Sequence, residues 1–129
     1  MRQILLDTCA VIWLANGEAG RFSPATLAKL REAEFLYVSP ITEWELAYKW
    51  RSGGIVLPVS PRELMALFKA AYRVQVSPLS DEVMFRAAEL PLHHRDPADR
   101  FIIATALAGR MPIVTADGRF AQYGVEVLI

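Results

Sequence analysis

A chain of 129 residues can close a core without disulfides or a structural metal, so one domain over residues 1–129 is expected. It is 53% hydrophobic, yet no apolar run approaches the roughly 18–20 residues of a bilayer crossing, and no charged-then-apolar leader opens it, so a cytoplasmic protein without membrane contact is expected. Fourteen basic and fourteen acidic side chains cancel, which excludes the globally basic profile of a non-specific nucleic-acid binder, and the single Cys9 excludes an intrachain disulfide.

The apolar run Gln3–Leu6 reads as a strand buried on both faces and ends at Asp7, ahead of a short helix over Thr8–Ala15. Ser23-Pro24 then puts a cap residue before a proline at the first helical position, the signature of a helix start. Phe35–Val38 is the second strand, and Ser39-Pro40 opens a helix that Gly53-Gly54 would stop. Ser60-Pro61 opens the next helix, Val74–Val76 is the third strand, and Ser80 caps a helix over Asp81–Glu89. The polar loop 91–95 leads to Asp96-Pro97, which opens a helix ending near Gly109, and strands are expected over 112–115 and 125–128. Five short strands separated by helices predict an α/β fold with a mostly parallel sheet.

Four carboxylates, Asp7, Glu45, Asp99 and Asp117, interrupt or closely follow apolar elements, where a charge is costly unless something compensates it. Asp7 and Asp117 would emerge beyond the carboxyl ends of strands, where open α/β sheets bind ligands. On a helix over 41–51, advancing about 100° per residue, Ile41, Trp44, Ala47 and Tyr48 form the main apolar face, with Glu45 on its flank and Glu43 nearly opposite. On the helix opening at Pro97, Asp99 is in line with Ile102, Ile103 and Ala106 and should face the sheet. Arg100 points towards the rim, and Asp96 takes the cap. Each acid also has an ordinary explanation. Asp99 suits a first helical turn, Glu45 can pair with Lys49, Asp7-Thr8 can cap a helix, and Asp117-Gly118 is a turn dipeptide. Their joint placement favours a divalent-metal site.

Ile4-Leu5-Leu6-Asp7-Thr8, Trp44-Glu45-Leu46-Ala47, the run from His94 through Asp99 to Ala104, and Val114-Thr115-Ala116-Asp117 follow the order and separations of motifs in bacterial PIN-domain proteins. The chain most resembles those of the VapC toxin type. This resemblance implies a three-layer α/β/α sandwich around a central, mostly parallel five-stranded sheet, and endoribonuclease activity dependent on Mg²⁺ or Mn²⁺. It implies Asp7, Glu45 and Asp99 as core metal ligands with Asp117 a more variable fourth. The implied partners are RNA, a second copy in a homodimer, and a cognate antitoxin whose tail fills the groove and blocks the site. Cys9 departs from the pattern, since histidine is frequent at that position.

Oxygen-only ligands suit Mg²⁺ or Mn²⁺, and a metal-activated water could attack a phosphodiester without a side-chain nucleophile. Thr115 is a candidate hydroxyl for the phosphate, and Lys49, Arg51 and Arg100, with Arg95 and Arg119 nearby, are candidates to steer RNA. His93 and His94 are expected on the loop surface and Cys9 in the core. Trp13, Trp44 and Trp50 exceed what one face per helix would bury, which points to an interface or to amphipathic tryptophans at the core edge. Two other readings carry different chemistry: a non-catalytic PIN-fold interaction module whose acids only cap helices, and a phosphohydrolase of similar architecture. A haloacid-dehalogenase-type enzyme would want an acid at position 9, where this chain has Cys9.

Overall fold

Three successive side chains, Ile4, Leu5 and Leu6, are completely buried because β1 (Gln3–Leu6) is the middle strand of the sheet and is covered on both faces. The computed structural model describes residues 2–129. The sheet has the order β3-β2-β1-β4-β5, with β2 Phe35–Val38, β3 Val74–Val76, β4 Ile113–Val114 and β5 Val127–Leu128. Every pairing is parallel, so the expectation of a mostly parallel sheet holds without exception. The last two strands are shorter than expected. Backbone hydrogen bonds nevertheless run past their ends, from Leu5 N–H to the Pro112 carbonyl (3.0 Å) and from Thr115 N–H to the Leu128 carbonyl (3.0 Å).

Alternation along the strands divides the interior in two. Ile4, Leu6, Val38 and Val114 point into a cluster with Val11 of α1 (Thr8–Ala15), Leu46 of α3 (Pro40–Arg51) and Leu64, Met65 and Phe68 of α4 (Pro61–Tyr72). α2 (Pro24–Glu32) adds Leu27 and Leu30 at the edge of that cluster. Leu5 and Ile113 point the other way, onto Ile102, Ile103 and Ala106 of α6 (Pro97–Gly109) and onto Phe120. α5 (Asp81–Glu89) packs outside α6 through Val83 and Ala87 against Ala104. The result is the α/β/α layering.

The serine and aspartate caps perform as expected. Ser23, Ser39, Ser60, Ser80 and Asp96 each accept a backbone N–H in the first turn of their helix. Gly109 does not stop α6. It is the last helical residue, and Arg110 closes the helix in the left-handed conformation at φ 53°.

The phase of α3 requires correction. Its buried residues are Thr42, Glu45 and Leu46, whereas Trp44 and Tyr48 on the expected apolar face are 57% and 60% exposed and stack on each other at 5.1 Å. Ala47 is exposed beside them and only Ile41 of that stripe is partly covered. Apolar residues surround this helix, so hydrophobicity cannot select a face. The face that meets α1 combines the fully buried Leu46 with a polar contact, Thr42 to Thr8 at 3.0 Å between their hydroxyl oxygens.

Candidate active site

Beyond the carboxyl ends of β1 and β4 lies a hollow of about 370 Å³ whose lining includes Asp7, Glu45, Asp99 and Asp117. The four carboxylates picked from sequence therefore converge on one place, from two strand ends and two helices. Thr8, Cys9, Lys49 and Asp96 also line it.

Asp7 caps α1 by accepting the Ala10 N–H at 2.8 Å and is almost fully buried. Its capping role and its place in the hollow coexist. Burial pushes its carboxyl up to about 6, against hydrogen bonding from the Thr115 side chain and Ala10, with the nearby Glu45 and Asp117 carboxylates raising it further. Thr115, itself buried, also accepts the N–H of Asp117 at 3.0 Å, so its hydroxyl joins the two strand ends.

Glu45 is buried although its helix is exposed on the opposite side. Its Oε1 accepts the Thr8 hydroxyl at 2.6 Å and its Oε2 lies 3.3 Å from the Lys49 ammonium. The surface ion pair and the inward position, which competed as explanations from sequence, both hold. Thr8 thus uses its hydroxyl on the Glu45 side chain.

Asp99 is half-buried at the first turn of α6, while Asp96 caps that helix through the Ala98 N–H at 3.0 Å. Burial first, then the charge of Asp96, pushes the Asp99 carboxyl up to about 6, with His94 pulling it down and Glu45 and Asp7 adding to the rise. Asp117 is held in the opposite sense, down to about 2, chiefly by hydrogen bonding from the Arg119 side chain. Its Oδ1 accepts the N–H and Nε of Arg119 at 2.9 and 3.1 Å, and its Oδ2 accepts Nη2 at 2.9 Å. Asp117 is thus the most occupied of the four acids.

Three expectations fail here. Arg100 is not at the rim and has no free guanidinium for RNA. It is buried and donates to the carbonyls of Ala87, Leu90, Pro91 and His94 at 2.8, 2.7, 2.9 and 3.0 Å, capping the end of α5 and pinning the following loop. His94 is not on the loop surface. It is 4% exposed, with Nε2 at 2.9 Å from Asp99 and 3.0 Å from Asp117. Its position at the head of the run that ends in Asp99 was the available signal. Cys9 is not in the core but half-buried at the edge of the hollow, and burial together with Asp7 raises its thiol pKa. Arg51 is exposed at the end of α3 and does not line the hollow, unlike Lys49 one half-turn earlier.

The donor set is made almost entirely of oxygen: four carboxylates with the Thr8 and Thr115 hydroxyls behind them. Two of the carboxyls are destabilised as anions by burial and by their acidic neighbours, the condition that a hard divalent cation relieves. Among the described residues, His94, Asp99 and Asp117 also bring potential ligand atoms within 4.8 Å of one another.

Known proteins share both this sequence and this fold. Residues 4–126 match the family model of the PIN domain. Ribonuclease VapC22 from Mycobacterium tuberculosis (strain ATCC 25618 / H37Rv) is 32% identical over 124 residues, covering 95% of this chain and 93% of the relative. Among solved structures, VapBC2 from Rickettsia felis bound to a DNA fragment from their promoter superposes with a TM-score of 0.73 at 16% identity, covering 97% of this chain and 96% of that one. VapBC-1 from nontypeable Haemophilus influenzae gives 0.70 at 20% identity, with coverage of 97% and 96%. With the family model spanning nearly all of its length, this chain belongs to the PIN domain family.

Proposed function

We propose that this protein is a Mg²⁺- or Mn²⁺-dependent endoribonuclease and the toxin of a type II toxin-antitoxin pair, acting in the cytoplasm as a single PIN domain. The observation that carries the reading is the meeting of four carboxylates in one hollow, two of them held up to about 6 by burial and mutual repulsion. The relative that is 32% identical is named a ribonuclease, which supports RNA as the substrate.

In this reading Asp7, Glu45 and Asp99 hold the ion. Asp117 is a fourth contact, available once it yields some of its hydrogen bonds to Arg119. Held there, a divalent ion would supply Lewis acidity towards a nucleophilic water and positive charge beside the phosphate. Thr8 orients Glu45, Thr115 joins Asp7 to Asp117, and Lys49, with Arg119 and the more distant Arg51, attracts the RNA backbone. Helix capping accounts for Asp7 and Asp117 but gives no reason for Glu45 and Asp99 to face the same hollow, which disfavours a non-catalytic module.

Two surfaces suit the partners. An apolar groove of about 650 Å³, lined by Leu14, Leu27, Leu30, Phe68 and Tyr72 among others, suits an antitoxin segment, and VapBC complexes share this fold. The exposed Trp44 and Tyr48 suit a homodimer contact. The decisive experiment incubates purified protein with RNA and Mg²⁺ or Mn²⁺. Cleavage that EDTA stops and Asp7→Asn removes supports the proposal, and cleavage indifferent to both defeats it.

A further inference from the structure

His94 belongs to none of the roles above, yet few side chains here are fixed from so many directions. Its backbone N–H donates to the Tyr123 hydroxyl at 2.7 Å, and that hydroxyl donates in turn to the Pro91 carbonyl at 2.8 Å. Its carbonyl accepts from the buried Arg100 guanidinium at 3.0 Å. Its ring meets the edge of Phe120 with centroids 5.7 Å apart. A loop that is polar in sequence is therefore locked at this residue, and the lock carries the imidazole inside.

The hydrogen bonds assign the ring's tautomer. Nδ1 accepts the Asp96 backbone N–H at 3.3 Å, so it presents its lone pair and the ring proton is on Nε2. That N–H is hydrogen-bonded to Oδ2 of Asp117 at 3.0 Å, and Oδ2 of Asp99 lies 2.9 Å from the same nitrogen as a close polar contact. A nitrogen carrying a proton has no lone pair for a cation. Proximity to the acids therefore does not make His94 a ligand; it makes His94 a donor to Asp117 beside Asp99.

We propose that His94 is a positioning residue, a donor through Nε2–H that holds Asp117 after β4 beside Asp99 on α6 and sets the two carboxylates for a divalent cation. The proposal rests on the metal reading above. The chemistry favours imidazole for this task. A lysine or arginine in the same place would bring a permanent positive charge that opposes the cation, whereas an imidazole N–H can donate a hydrogen bond without one. Arg100 acts further back, by holding the loop that delivers the ring, and Asp96 acts by capping α6 with its side chain while orienting the imidazole with its backbone.

Two measurements on the full chain test this. In ¹⁵N-labelled, metal-free protein, long-range ¹H–¹⁵N spectra should show Nε2 of His94 protonated and Nδ1 unprotonated, and added Mg²⁺ should leave that pattern unchanged. Mn²⁺ affinity by calorimetry should fall about 10–100-fold in His94→Leu, the usual loss when a partner of a metal ligand is removed. It should largely recover in His94→Gln, whose side-chain amide restores a donor in the Nε2 position. The proposal is overturned by the opposite tautomer, by loss of the Nε2 proton on adding Mg²⁺, by wild-type affinity in His94→Leu, or by equal losses in the leucine and glutamine variants. If wild-type protein binds no Mn²⁺, the metal reading falls by itself, and the tautomer still decides whether the ring joins the two acids. If His94→Leu does not fold, the tautomer and the glutamine variant decide.

Discussion

The hydroxyl of Thr8 and Oε1 of Glu45 are 2.6 Å apart, which couples the first turn of α1 to the middle of α3 inside the hollow. Thr42 donates to the same Thr8 oxygen from 3.0 Å, so the three side chains form a buried chain of hydrogen bonds. Thr8→Val keeps the shape but leaves the Thr42 hydroxyl and a Glu45 oxygen short of a partner. Stability should fall by about 1–3 kcal/mol, measured by urea denaturation. Thr8→Ser should recover most of it, and a valine variant as stable as wild type would show that the contact does not orient Glu45.

Asp7→Asn should abolish metal-dependent cleavage without weakening the fold. Asparagine caps a helix as well as aspartate does. It also removes a carboxyl that burial raises from 3.8 to about 6, a shift worth at most about 3 kcal/mol at neutral pH. The thermal midpoint should hold or rise by a few degrees. A variant that loses activity because it unfolds early would contradict this account.

The pH dependence has a definite sign. Asp7 and Asp99 bind protons more tightly in the folded chain than in the unfolded one. Between about pH 4 and 6 the native state therefore carries more protons, and stability without metal should decrease as pH rises through that window. Asp117 acts oppositely and lower, since its carboxyl is held down to about 2, so its contribution is lost only on acidification below about pH 4. Melting curves in EDTA should show a decline from pH 4.5 to 7, and saturating Mg²⁺ should flatten or reverse it. Identical profiles with and without Mg²⁺ would count against a cation bound by these carboxylates.

Arg100 and Lys49 should separate cleanly. Arg100→Lys cannot serve four carbonyls with one ammonium, and should cost at least about 2 kcal/mol in stability and speed amide exchange after α5. Its RNA affinity in EDTA, by fluorescence anisotropy, should stay near wild type. Lys49→Ala should weaken RNA binding and reduce the salt slope by about 0.7, the value for one contact to a single strand. An Arg100 variant that loses the salt slope would restore it as an RNA contact.

Elements defined by local chemistry are legible in this sequence. A serine or aspartate before proline fixes where four helices begin, because the cap and the missing N–H act within one turn. The burial of β1 is legible from an uninterrupted apolar run. The inward placement of Asp7 and Asp117 follows from strand ends in a parallel sheet. The exposed side of α3 is not legible, since Trp44 and Tyr48 imitate a core stripe while Thr42 makes the contact with α1. Nor is Arg100, whose partners are carbonyls up to thirteen residues earlier and leave no pattern in side-chain type. His94 is legible only as the head of the run that contains Asp99, because its role depends on Asp117, twenty-three residues later.

The strand order has a further consequence during synthesis. β1 precedes β4 but is flanked by it in the sheet, with Leu6 opposite Val114, so this neighbour emerges only after β2 and β3 have been made. Until then one edge of the central strand has no partner, and Asp7 and Glu45 await the acids of α6 and of the turn after β4. A chain that stops before α6 lacks two of the four carboxylates. On the metal reading proposed above, no centre can form until α6 and the turn after β4 have both followed.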